Sequence, residues 1–144
     1  DTVLPLRADI RIQAAARVGH TWGRFDVAID GKSPVLHLVS AMMNFRSRWT
    51  GIATGDQAIF VRRDVFNIVG GYPDQPLMED IELSARLLSL QLQIGKPACL
   101  RDRVITSGRR WETRGVWRTI FLMWCLRWRY WWGEPASSLA DHYH

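Results

Sequence analysis

Two hydrophobic periods alternate along this chain, and that alternation constrains its fold more than any other feature. The segment RFDVAID, residues 24–30, repeats every second residue and puts Phe25, Val27 and Ile29 on one side, as a strand requires. The segments around it follow a helical period. LRADIRIQAAARVG reads as a helix running into a turn at Gly19. After the break GKSP, the segment SPVLHLVSAMMNFRSRW has Ser33 before Pro34, a good helix start, and its Leu36, Val39, Met42, Met43 and Phe45 suit a packed helix. Further on, residues 58–61 are strand-like. Asp64 is placed to cap a short helix over 65–69, which Gly70 and Gly71 end. Residues 81–94 carry apolar side chains on two faces, predicting a helix buried between layers and ended by Gly95. PACL and RVIT read as short strands, and residues 116–132 as the last long helix. Strands alternating with helices predict the α/β class.

A length of 144 residues fits one domain, spanning 1–144. Apolar residues at 47% and charged residues at 23% exclude a disordered chain. A net charge of +5 favours an anionic partner: nucleotide, phosphate, nucleic acid or an acidic membrane surface. The two cysteines, Cys99 and Cys125, are too few for a disulfide framework or a zinc site, and read as buried thiols in a reducing compartment. Residues 116–132 form the longest apolar run, but it is short for a membrane span and carries Arg118, Arg127 and Arg129. The four histidines are isolated or terminal and give no metal signature.

Four constellations could carry chemistry. In PLMEDIELSARL, Glu79, Asp80 and Glu82 stand at a helix start. There they either cap free N–H groups, contributing about 0.3–1 kcal/mol each, or supply a general base. TGDQ, Thr54 to Gln57, is either a polar turn or a backbone approach to a ligand, with Asp56 and Gln57 as hydrogen-bonding groups. SGRRWETRG gathers Arg109, Arg110 and Arg114 around Trp111 in what reads as a flexible loop. Guanidinium forks suit a diphosphate, and the alternative is a solvated basic loop. Finally, Trp117, Phe121, Trp124, Trp128 and Trp131 lie on one face of the last helix. Such a stripe reads first as core, and second as an interfacial helix on an anionic bilayer.

Taken in order, TGDQAIFVRRDVFNIVGGYPDQPLMEDIELSARL followed by TSGRRWETRGVWRTI resembles the second half of a family 2 glycosyltransferase of GT-A fold. It is most similar to the bacterial subgroup described as radical-SAM/selenodomain-associated glycosyltransferases. The resemblance covers nearly the whole chain. It implies inverting transfer of a sugar from a nucleotide-sugar donor to an acceptor hydroxyl. In that scheme Asp80 is the catalytic base, with Glu79 as its neighbour. Thr54, Gly55, Asp56 and Gln57 line the acceptor side. Arg109, Arg110 and Trp111 close over the donor diphosphate. DTVLP is similar to the tail of the family's metal motif, making Asp1 a ligand for Mg²⁺ or Mn²⁺. The same comparison implies an incomplete GT-A sheet whose nucleotide-binding half precedes Asp1, a fragment inactive by itself, and a homo-oligomer formed through the open sheet edge. The expected location is the cytoplasm, or the inner face of the cell membrane. The rival reading is a non-catalytic membrane or interaction module built on the Trp/Arg helix. Nucleic-acid binding ranks last, because no recognition motif accompanies the charge.

Overall fold

The computed structural model describes residues 2–75 and 77–143. Its class is α/β, built on a four-stranded mixed sheet. The elements in chain order are β1 (Thr2–Val3), α1 (Ala8–Arg17), β2 (Trp22–Asp30), α2 (Val35–Thr50), a 3₁₀ turn (Gly55–Gln57), β3 (Phe60–Val61), α3 (Arg63–Ile68), α4 (Glu79–Ser89), α5 (Gln91–Ile94), β4 (Ala98–Ser107), α6 (Arg109–Arg114), α7 (Val116–Trp131) and α8 (Ala136–Tyr143). The sheet order is β1-β4-β2-β3. Only the central pair, β2 with β4, is parallel; β1 and β3 run antiparallel to their neighbours.

β2 is buried along almost its whole length, as befits a central strand covered on both faces. That burial takes in two charges, Arg24 and Asp26. Arg24 and the partly exposed Arg48 both donate to the Asp26 carboxylate, so the buried Arg24 charge is paired and Arg48 carries the excess positive charge toward solvent. Asn44 of α2 accepts the Val27 N–H at 2.8 Å and donates to the Val27 carbonyl at 3.0 Å, fixing α2 against β2.

Among the described residues, two apolar clusters tie helices to the sheet and a third ties helices to one another. Trp22, Val65, Leu83 and Leu87 join β2 to α3 and α4. Ile29, Leu36 and Val39 receive Trp111, Val116 and Ile120. Met78, Leu126 and Leu139 join the start of α4 to α7 and α8. Each large apolar side chain so buried contributes about 1.5–3 kcal/mol.

Several sequence expectations need correction. PACL and RVIT are not two strands but one, β4, with a register irregularity opposite Phe25 and Asp26. Only Phe60 and Val61 of residues 58–61 form the strand β3. The short helix begins at Arg63, so Asp64 lies inside it rather than before it, although its Oδ1 still accepts the Val65 N–H at 2.9 Å. Residues 81–94 break at Leu90 into α4 and α5, and one face is not buried: Leu92 is fully exposed. The arginine segment is not a loop but the helix α6. On α2, Leu36 and Val39 pack inward while Met42 and Phe45 face solvent. The α7 stripe is not core: Trp117, Phe121, Trp124, Trp128 and Trp131 are 62% to 87% exposed. Among the described residues, no helix is long and apolar enough to cross a membrane.

Candidate functional site

The site is built around the 3₁₀ turn Gly55–Gln57. Two residues of α4, one helical turn apart, hold this turn in place. Ser84 Oγ accepts the Ala53 N–H at 3.1 Å and donates to the Ala53 carbonyl at 3.2 Å, in a fully buried contact. Asp80 Oδ2 accepts the Gly55 N–H at 2.7 Å. Residues four apart share one helix face, so α4 grips the segment at both points. Within the turn, Gln57 is buried and its Oε1 accepts the Thr54 N–H at 3.2 Å. Thr54 is buried as well, so Thr54 and Gln57 form the wall of the turn while Gly55 and Asp56 stand at its surface.

Asp80 is half-buried in the first turn of α4, and it does more than cap that helix. Its Oδ1 accepts the Ile81 N–H at 2.8 Å, a local contact, whereas its Oδ2 reaches Gly55, 25 residues away in sequence. A carboxylate has about four lone-pair sites, so acceptor capacity remains. Burial pushes its pKa above the ordinary carboxylate value, making it a weaker acid and a stronger base. The Gly55 and Ile81 N–H groups partly oppose that shift, and the neighbouring Glu79 charge adds to it. Glu79 itself is exposed. Glu82, the third acid, is occupied elsewhere: Arg86 donates to it at 3.2 Å and the Tyr130 hydroxyl of α7 at 3.2 Å.

Two further residues gather at Asp80 that the sequence did not single out. Arg46 of α2 is held below its ordinary value by burial, with Asp80 pulling the other way. Its Nε and Nη2 are buried without a hydrogen-bond partner. Tyr72 follows the Gly70–Gly71 turn, where both glycines are left-handed (φ +82° and +70°). Its hydroxyl is held above its usual value by burial and then by Asp80 and Glu79, and its ring meets Phe66 edge-on at 5.9 Å. The signal for Tyr72 was the Gly-Gly turn before the acids. Arg46 left none, because an arginine inside an amphipathic helix reads as solvated.

Asp56, next to Gly55 in the turn, also lines a cleft of about 420 Å³. Thr2, Thr106 and Ser107 line it together with Arg109, Arg110, Trp111 and Arg114. The structure thus brings Asp56 and the α6 arginines into one space. Arg109 and Arg110 are exposed, while Trp111 is half-buried and packs into the cluster of Ile29, Leu36 and Val39, so its indole anchors α6. The entry to α6 requires glycine at 108: a Cβ there would stand 2.4 Å from the Asp30 carbonyl, which already accepts the Gly108 N–H at 2.6 Å.

Backbone strain marks the same region. Among the described residues three non-glycine residues are left-handed, and two of them flank the site: Ala58 follows the turn, and Met78 immediately precedes Glu79. Each such conformation costs about 1 kcal/mol or more and persists where the surroundings enforce it. Asp1, the metal ligand implied by the resemblance, lies outside the described residues. Among the described residues no group of three or more His, Cys, Asp or Glu side chains gathers to hold a metal ion. Comparison with protein-family models, curated proteins and solved structures finds no match to this chain.

Proposed function

We propose that this chain is the acceptor-side part of a family 2, GT-A glycosyltransferase that moves a sugar from a nucleotide-sugar donor to a hydroxyl group with inversion. The observation that carries this reading is that consecutive residues of one turn, Gly55–Gln57, touch both groups: Gly55 bonds Asp80, and Asp56 lines the arginine-lined cleft.

In this reading Asp80 takes the proton of the acceptor hydroxyl. Its raised basicity suits that role, because a general base works best when its pKa lies closer to the working pH. The freed oxygen forms a bond to the anomeric carbon from the face opposite the leaving group. The bond between that carbon and the diphosphate oxygen breaks, and inversion follows. Arg109 and Arg110 hold the departing diphosphate, where bidentate N–H contacts match phosphate oxygens. Arg46, with buried unpaired nitrogens beside Asp80, stabilises the negative charge that develops at the reacting oxygens. Gly55 and Asp56 face the acceptor, and Tyr72 offers it a ring and a hydroxyl; Thr54 and Gln57 keep the turn in shape. Mg²⁺ or Mn²⁺, when bound, neutralises phosphate charge as a Lewis acid. Its ligand, Asp1, rests on the resemblance alone.

Calorimetric titration with UDP and GDP, with and without Mn²⁺, tests the donor half of the reading. Binding that strengthens with metal and is lost in Arg109→Ala/Arg110→Ala is the expected result. Binding that ignores both arginines overturns their role.

A further inference from the structure

Among the described residues, the outer face of α7 is left exposed and is covered by no other element. Of eight tryptophans in the sequence, only Trp22 and Trp111 are not exposed. Four of the exposed six, Trp117, Trp124, Trp128 and Trp131, lie with Phe121 along this one face. The inner face is fully used, with Leu126 against Met78 and Leu139, and Val116 and Ile120 against Ile29 and Leu36. The stripe is therefore not left over from imperfect packing.

We infer that the outer face of α7 docks the protein, lying flat, on an anionic lipid bilayer. Three observations point to that occupant. First, the exposed side chains are mostly tryptophan, the residue favoured where an apolar phase meets water, because its ring is apolar and its N–H is polar. Second, α7 contains no Asp or Glu but carries Arg118, Arg127 and Arg129. Arg118 is exposed beside the stripe, and Arg129 is paired with Glu134. The chain's net charge of +5 acts in the same sense. Third, the helix has 16 residues, or about 24 Å of rise, and three charges, so it suits the plane of the interface rather than a crossing. A second copy fits the same face less well, since a facing α7 offers the exposed Arg118 no Asp or Glu. The exposed face of α2 has a related make-up: Leu38, Met42, Phe45 and Trp49 face solvent on a helix that also lacks Asp and Glu.

This inference stands apart from glycosyl transfer and is tested without any donor. The protein is floated with phosphatidylcholine vesicles, with and without phosphatidylglycerol. The expected result is flotation with the anionic vesicles only, weakened by salt. Trp124→Ser/Trp128→Ser and Arg118→Glu are each expected to weaken it about tenfold or more while leaving the circular dichroism spectrum unchanged. Flotation with neither vesicle, or equally with both, overturns the inference. So does a dimer in sedimentation that Trp124→Ser/Trp128→Ser dissociates, because that outcome gives the face to a second copy.

Discussion

Asp80 Oδ2 accepts the Gly55 N–H at 2.7 Å, while Ser84, one turn further along α4, bonds both the N–H and the carbonyl of Ala53. The acid and the turn it faces are thus fixed to one another by a single helix face. A general base has to be held in place to act, and this pair of contacts supplies the restraint.

Burial raises Asp80, and the sign of its effect on stability follows. Below the ordinary carboxylate range, folded and unfolded chains both hold the proton. Between that range and the raised value, only the folded chain holds it, so stability falls as pH rises through the window. Above the window the loss is complete. Asp80→Asn lacks this slope. Thermal melts of both proteins across that window should show the variant gaining on the native protein as pH rises, with Glu79, Arg46 and Tyr72 unchanged around it. A variant that loses ground as pH rises would show that Asp80 is stabilised as the anion.

Gly55→Pro removes the N–H that Asp80 accepts. The position opens a 3₁₀ turn, so the proline φ fits, but the ring Cδ takes the place of the bonded N–H and displaces the carboxylate from it. The Gly55 N–H lowers Asp80, so its loss should move the carboxylate further up. Carboxyl carbon NMR titration of Asp80 reads the shift directly, and a downward shift would contradict the geometry.

Arg46 combines a buried charge with unpaired donors. Replacing it with methionine should leave stability within about 1 kcal/mol of the native protein or raise it, since the charge is costly to bury. In the full-length glycosyltransferase of the proposed reading, sugar transfer should fall about a hundredfold, the usual effect of losing a group that stabilises developing charge. Loss of stability with activity retained would reduce Arg46 to a packing residue.

Asp26 is the opposite case. It receives both Arg24 and Arg48 in the core, and Asp26→Ala leaves two guanidinium groups uncompensated. Chemical denaturation should show a loss of about 3–5 kcal/mol. A loss below about 1 kcal/mol would mean that water reaches the trio.

Much of the architecture was legible in the sequence, for physical reasons. β2 alternates, α2 and α7 keep helical period across their length, and Gly70–Gly71 end α3 with left-handed backbones, as glycine allows. What escaped depends on tertiary context. Arg101–Asp102 lay between PACL and RVIT and read as a break, yet β4 runs through them, because Arg101 faces water and Asp102 pairs with Arg11 at 3.1 Å. The α7 stripe announced its period but not its direction: the core was already closed by Leu126, Leu122 and Tyr130 on the other side. The candidate site was legible as separate pieces, Asp80, TGDQ and the arginines. Their meeting at one turn, and the presence of Arg46 and Tyr72, required the fold.

Sugar transfer by the Asp80→Asn form of the full-length glycosyltransferase to which the proposed reading assigns this chain, measured beside its binding of UDP or GDP, tests the central claim most directly. The account predicts transfer reduced at least about a hundredfold with nucleotide binding unchanged, because the base acts on the acceptor and not on the diphosphate. Turnover equal to that of the native protein would remove Asp80 from the chemistry and return it to the role of a helix cap.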